Sequence, residues 1–216
     1  QGEGVPGGTR QMKRRLRELG DGPPVSEGCG LSWMNEPDEW SVRDGRLTMV
    51  APARADFFND PGSDSSVATA PFLYAVLKGD FVANVRLSVE MAAQCDSGCL
   101  MAMSDDSNWA KICFEYMNRV PTIVTVVTRS RSDDCNSMAS GTETPFLRVA
   151  RSGSAFAFHY SEDGTNWELV RYFRMEVPDE LKIGVVAQAP FADRCKVTFY
   201  SFETSEGAVE DVRTVS

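Results

Sequence analysis

The chain has 216 residues, 42% hydrophobic and 25% charged, an ordinary globular composition. Its 31 acidic residues against 22 basic ones give a net charge of −9, which excludes a nucleic-acid surface, because such a surface needs clustered positive charge. No apolar run approaches the roughly 20 residues that cross a bilayer, and no apolar signal-peptide core is present, so a soluble, cytoplasmic protein with no membrane partner is expected.

Residues 1–28 read as a leader. Two Gly/Pro-rich stretches, GEGVPGG and GDGPP, flank residues 10–19, RQMKRRLREL. That segment has helix-forming residues but few apolar anchors, and an isolated helix of this length is marginal in water. Its basic character also suits a targeting or docking segment.

From Gly30 the hydrophobic period changes to two. Residues 47–50 and 69–76 are short candidate strands. In residues 81–91, Phe81, Ala83, Val85, Leu87, Val89 and Met91 share one face, with Val82, Asn84, Arg86, Ser88 and Glu90 on the other. This is the pattern of a half-buried strand. Further strands fall at 99–103 and 109–116, and the β-branched run 122–128 has strand composition. Residues 146–151 and 155–160 follow, and Asp163-Gly164 marks a tight turn into 167–171, because glycine supplies positive φ without steric cost. The apolar run 181–187 and the alternating run 195–203 complete the series. About a dozen short strands with turn signals between them predict an all-β fold, a two-sheet antiparallel β-sandwich. It should occupy residues 29–205, with residues 206–216 as an acidic C-terminal tail.

Several reactive constellations are missing. The six cysteines are Cys29, Cys95, Cys99, Cys113, Cys135 and Cys195. In a chain of this size without a secretory signal, free thiols are the expectation. Cys95 and Cys99 are spaced poorly for zinc, and His159 is the single imidazole, so neither a structural metal nor a cofactor is expected. His159 has no nucleophile-elbow motif to serve, and no phosphate-binding loop occurs. Glu36-Pro-Asp-Glu-Trp40 begins like the E-x-D-x-E run of jelly-roll glucanases, which aims paired carboxylates into a cleft. Trp40 and Ser41 stand where its last glutamate belongs, and Pro37 argues for a turn. Ser161-Glu-Asp-Gly-Thr-Asn-Trp167 is one residue short of a sialidase Asp-box and reads as a hairpin with Trp167 packed beneath the turn.

The segment from Trp109 to Tyr116 is the most informative. Alternation puts Trp109, Lys111, Cys113 and Glu115 on one face, and Ala110, Ile112, Phe114 and Tyr116 on the other. The second set has core composition. The first combines an aromatic, a cation and a carboxylate, a set suited to a polar ligand on a concave sheet.

Pieces of this pattern recur together in one family. They are Leu31-Ser-Trp-Met-Asn-Glu-Pro37 with Trp40, Leu47, Asp56-Phe-Phe58, Gly98-Cys-Leu-Met101, Trp109-Ala-Lys111 with Glu115, Val124-Thr125, Arg148-Val-Ala-Arg151, Ser161-Glu-Asp-Gly164, Trp167 and Gly184. Over residues 30–204 the chain resembles the uncharacterised concanavalin A-like lectin/glucanase domains that include the fungal regulation-of-enolase protein. The resemblance implies a jelly roll of the lectin/glucanase type and supplies no catalytic residues. The leading expectation is a non-catalytic module that binds a carbohydrate or small polar metabolite through Trp109, Lys111 and Glu115, rimmed by Asn35 and Asp56. One alternative is an enzyme on a sugar or specialised metabolite, with Glu115 or Asp56 as general base and Lys111 as electrostatic partner. The other is an intracellular regulator that binds a metabolic enzyme.

Overall fold

A computed structural model describes residues 13–15 and 30–214. In chain order its strands are β1 (Lys13–Arg15), β2 (Ser32–Met34), β3 (Trp40–Arg43), β4 (Arg46–Pro52), β5 (Phe57–Asn59) and β6 (Ser66–Ala68). Then come β7 (Phe72–Lys78), β8 (Phe81–Val89), β9 (Ser97–Asp105), β10 (Asn108–Met117), β11 (Val120–Arg129) and β12 (Arg131–Ala139). The last are β13 (Phe146–Ser152), β14 (Ala155–Ser161), β15 (Glu168–Arg174), β16 (Glu180–Gln188) and β17 (Arg194–Glu206). The described residues contain no helix, and so none long and apolar enough to cross a membrane. Within the leader, residues 13–15 form a strand on β17; the rest of the leader lies outside the described residues.

All pairings are antiparallel. One sheet runs β15-β14-β13-β8-β17-β4-β3, with β1 also on β17, and the other runs β12-β11-β10-β9-β16-β7-β2. Every predicted period-two segment is a strand here, and the two sheets make the expected sandwich. Period two decides which face each residue lines. On β8, Phe81, Ala83, Val85 and Leu87 are fully buried, while Arg86 between them is exposed. The inner face of β10 is fixed by Gly98 on β9, where an added Cβ would strike Leu87 and Val197 of the opposite sheet. Gly98 is the register partner of Phe114, so Phe114, Ile112 and Ala110 face the core between the sheets. Phe81, Phe156, Phe158 and Phe199 are also wholly buried, each removing apolar area worth about 1.5–3 kcal/mol.

The second sheet differs from an ordinary two-sided sandwich layer. Residues 53–70 leave β4 and form a two-stranded flap, β5 and β6. The bridge between Ala55 and Ala189 roots the flap beside the end of β16. At its other end Asn59 donates from Nδ2 to Asp106 O and Ser130 O, and its N–H donates to Ser132 Oγ. The flap therefore crosses the outer face of the sheet diagonally.

Two strand edges lie one above the other where β15 faces β12. Open edges invite pairing with other chains, and charge and bulges blunt that tendency. Arg171 of β15 donates to Thr125 Oγ1 and Asp133 O and pairs with the Asp133 carboxylate at 3.1 Å. Arg129 donates to Arg174 O. Register shifts near Phe158 and Ile123 further interrupt the two edges. At the C-terminus, Val212 packs on Ala150 and Ala157, and Arg213 O lies 3.3 Å from His159 Nε2.

Candidate functional site

The outer face of β10 carries the four residues that alternation assigns to it, and the flap changes their surroundings. Trp109 is 1% exposed and Lys111 2%, Cys113 is fully buried, and Glu115 is 7% exposed. Both faces of β10 are thus covered, one by the opposite sheet and one by the flap. Phe57 of β5 meets the Trp109 ring edge-on at 6.2 Å, and the Lys111 ammonium lies 5.4 Å from the same ring.

Lys111 Nζ donates to Phe57 O and to Gln188 Oε1, each at 2.7 Å, and lies 3.7 Å from Asp56 Oδ1. Gln188 in turn donates to Ser97 Oγ. Two of the ammonium's three donors are thus used on Phe57 O and Gln188 Oε1, while Asp56 is an ion-pair partner beyond hydrogen-bond distance. Burial alone would lower the Lys111 pKa, but Asp56, followed by the neighbouring thiols and Glu115, holds it above the usual lysine value. Lys111 therefore pins the flap to the sheet as a permanent cation.

Asn35 closes the other side of the flap. It sits in the left-handed region at φ 55, which asparagine tolerates better than most residues. Its Nδ2 donates to Ala68 O and Ala70 O. Asp56 stays partly exposed, and its Oδ1 accepts from the N–H of Phe57.

Glu115 is the unusual member. It lies at the end of the face that Gln188, Ser97 and Thr122 share by register, next to the root of the flap. No described cation forms an ion pair with it. Burial pushes its carboxyl from 4.5 to about 7; Lys111 opposes the rise, while Asp134 and Asp56 add to it. Burial first, and the nearby Glu115 carboxyl after it, drive the Cys95 thiol up to about 12, and Cys95 Sγ lies 3.8 Å from Met117 Sδ. Asp134, register partner of Val126 and so on the same face as Lys111, completes an acidic rim. Beyond Gln188, residues 190–193 carry Phe191, 73% exposed, two residues past the flap root.

Trp109, Lys111, Glu115, Asn35 and Asp56 are thus brought into one region, but on different footings. Asp56 stays partly exposed and Glu115 is nearly buried, Lys111 and Asn35 hold the flap, and Trp109 lies beneath it. Sequence reasoning missed Gln188, Asp134 and Cys95. Gln188 ends an apolar run, and its polarity on a buried strand is the signal that could have singled it out.

The Glu115 carboxyl has a direct consequence. A carboxyl whose folded pKa lies above its unfolded value keeps a proton that the unfolded chain releases, so rising pH favours unfolding between about 4.5 and about 7. Glu115→Gln removes that penalty. It is expected to stabilise the protein by on the order of 2 kcal/mol at about pH 8 and by nothing measurable at about pH 4. Urea unfolding at the two pH values measures it; a loss of stability at the higher pH would show that the carboxylate is well partnered.

No cluster of three or more metal-ligating His, Cys, Asp or Glu side chains occurs among the described residues. The sandwich has clear relatives. Regulation of enolase protein 1 of Saccharomyces cerevisiae is 25% identical over 169 residues, 78% of this chain and 85% of that one. The crystal structure of a functionally unknown protein from Saccharomyces cerevisiae superposes with a TM-score of 0.79 at 23% identity, over 83% of this chain and 98% of that chain. A variant of the GH43 protein BlXynB from Bacillus licheniformis matches with a TM-score of 0.70 at 16% identity, over 88% of this chain and 39% of that one. The fold is the concanavalin A-like jelly roll, and residues 33–207 match the family model described as protein of unknown function (DUF1349), so the chain belongs to that family.

Proposed function

We propose that the chain is a non-catalytic binding module whose ligand, a carbohydrate or another small polyhydroxylated metabolite, docks against the carboxylates of Glu115, Asp56 and Asp134. The observation that carries this reading is Glu115 itself: a carboxyl held 7% exposed, with no ion pair among the described residues, near two further carboxylates. Burying such a group costs stability unless something compensates it. Sugar hydroxyls are donors that carboxylates accept, and hydrogen bonds to charged groups are among the stronger ones.

The test is a thermal-shift screen of neutral glycans and polyols, followed by calorimetry on any hit. A ligand of the native state raises the melting temperature with its concentration. Glu115→Gln and Asp56→Asn should each weaken binding about tenfold or more, equivalent to about 1.4 kcal/mol. Unchanged affinity in both variants, or a screen without a single saturable shift, would sink the reading. Combined with the stability gain expected of Glu115→Gln, loss of binding would mark a residue kept for function at the expense of stability.

A second reading is a regulator that binds a metabolic enzyme, favoured by the name of the Saccharomyces cerevisiae relative. It expects a stoichiometric complex that withstands size-exclusion chromatography and is insensitive to Glu115→Gln.

A further inference from the structure

Cys99 and Cys113 are direct register partners on the adjacent antiparallel strands β9 and β10. Both lie on the outer face, both are fully buried, and both are free thiols. Directly opposed residues in an antiparallel pair have Cα atoms about 4.5 or 5.5 Å apart, depending on the pair type. Either spacing falls within the roughly 4.4–6.8 Å that a disulfide spans. Burial, and after it the neighbouring Cys99 thiol, hold the Cys113 pKa well above the usual thiol value, and Cys99 Sγ lies 3.8 Å from Ser97 Oγ. Lys111, one alternate position along β10, is near enough for its ammonium to favour the Cys113 thiolate, against the burial that disfavours it.

We propose that Cys99 and Cys113 are an oxidation site, closing a cross-strand disulfide between β9 and β10 when the protein meets a two-electron thiol oxidant. Two S–H bonds break and one S–S bond forms. With an azodicarboxamide as oxidant, the two hydrogens and two electrons reduce its N=N bond to the hydrazine. The remaining described cysteines have no cysteine as register partner: Cys95 contacts Met117, Cys195 sits against Glu90 O, and Cys135 is exposed at an edge strand. Because the pair is fully buried, closure should be slower than modification of the exposed Cys135.

The experiment treats the full chain with the azodicarboxamide, blocks the remaining thiols and cleaves on the N-terminal side of aspartate without reduction. Cleavage before Asp96 separates Cys95 from Cys99, and cleavage before Asp106 places Cys113 in a different fragment. The expected product joins the two fragments, is lost on reduction and is absent from Cys113→Ser. A fully oxidised sample in which Cys99 and Cys113 remain alkylatable after denaturation, or in which either is joined to Cys95 or Cys135, would overturn the proposal. The wild-type map decides the matter even if the serine variant folds poorly.

Discussion

Gly184→Ala is expected to destabilise the protein by about 3 kcal/mol or more. Gly184 lies in the middle of β16 and pairs with Tyr74 of β7. A Cβ built on it would come within 2.0 Å of Leu73 O and 2.6 Å of the Tyr74 Cα. Both obstacles are backbone, so no rotamer change relieves them and the strands themselves must part. β16 is central, with β9 on its other side, so parting it from β7 disturbs ladders on both sides. The ladder also carries Gln188, so the damage should reach the Lys111 anchor. Gly62→Ala is the control: there the added Cβ would be 3.6 Å from a carboxylate oxygen of Asp60, and the change should stay within about 0.5 kcal/mol. Urea unfolding of the two variants compares them, and a loss below about 1 kcal/mol at Gly184 would show that the strands yield easily.

The fold was legible because it rests on period two. Strands 81–91 and 109–116 declare their faces through alternation, and two antiparallel sheets are the simplest way to bury them. Gly184 was visible only as a glycine inside an apolar run; the reason for it is the approach of β7, which sits far away in sequence. β12, with the sequence RSDDCNSMA, has almost no apolar signal. It is an edge strand whose charges keep it from pairing further, so the property that protects it also conceals it. The flap is the larger loss. Its strands have three residues each, and Phe57-Phe58-Asn59 alternates too briefly to read. Without the flap, Trp109, Lys111 and Glu115 look like one exposed surface. With it, they separate into a covered ring, an anchor and a nearly buried carboxyl. Asn35 shows the same limit: its polarity suggested a ligand contact, and its amide nitrogen is used on the carbonyls of Ala68 and Ala70.

Lys111→Met should cost about 2–4 kcal/mol, because two buried acceptors lose their charged donor. The methionine fills much of the space but donates nothing. Phe57 O and Gln188 Oε1 each lose a bond of 2.7 Å, and Asp56 loses its counter-charge. The flap then has Asn59 and Asn35 at its ends but no tie at its centre. Adding Gln188→Leu removes one of the stranded acceptors, so the double variant should be more stable than the sum of the two single losses by about 1 kcal/mol or more. A strictly additive pair would mean that Lys111 and Gln188 are not bonded in solution. The same variant separates anchoring from ligand contact. Lys111 is buried, with two donors held by Phe57 O and Gln188 Oε1, so binding measured where Lys111→Met is still folded should weaken far less than in Glu115→Gln. Equal loss of affinity in the two variants, with stability barely changed by Lys111→Met, would place the ammonium in the site and the flap somewhere else.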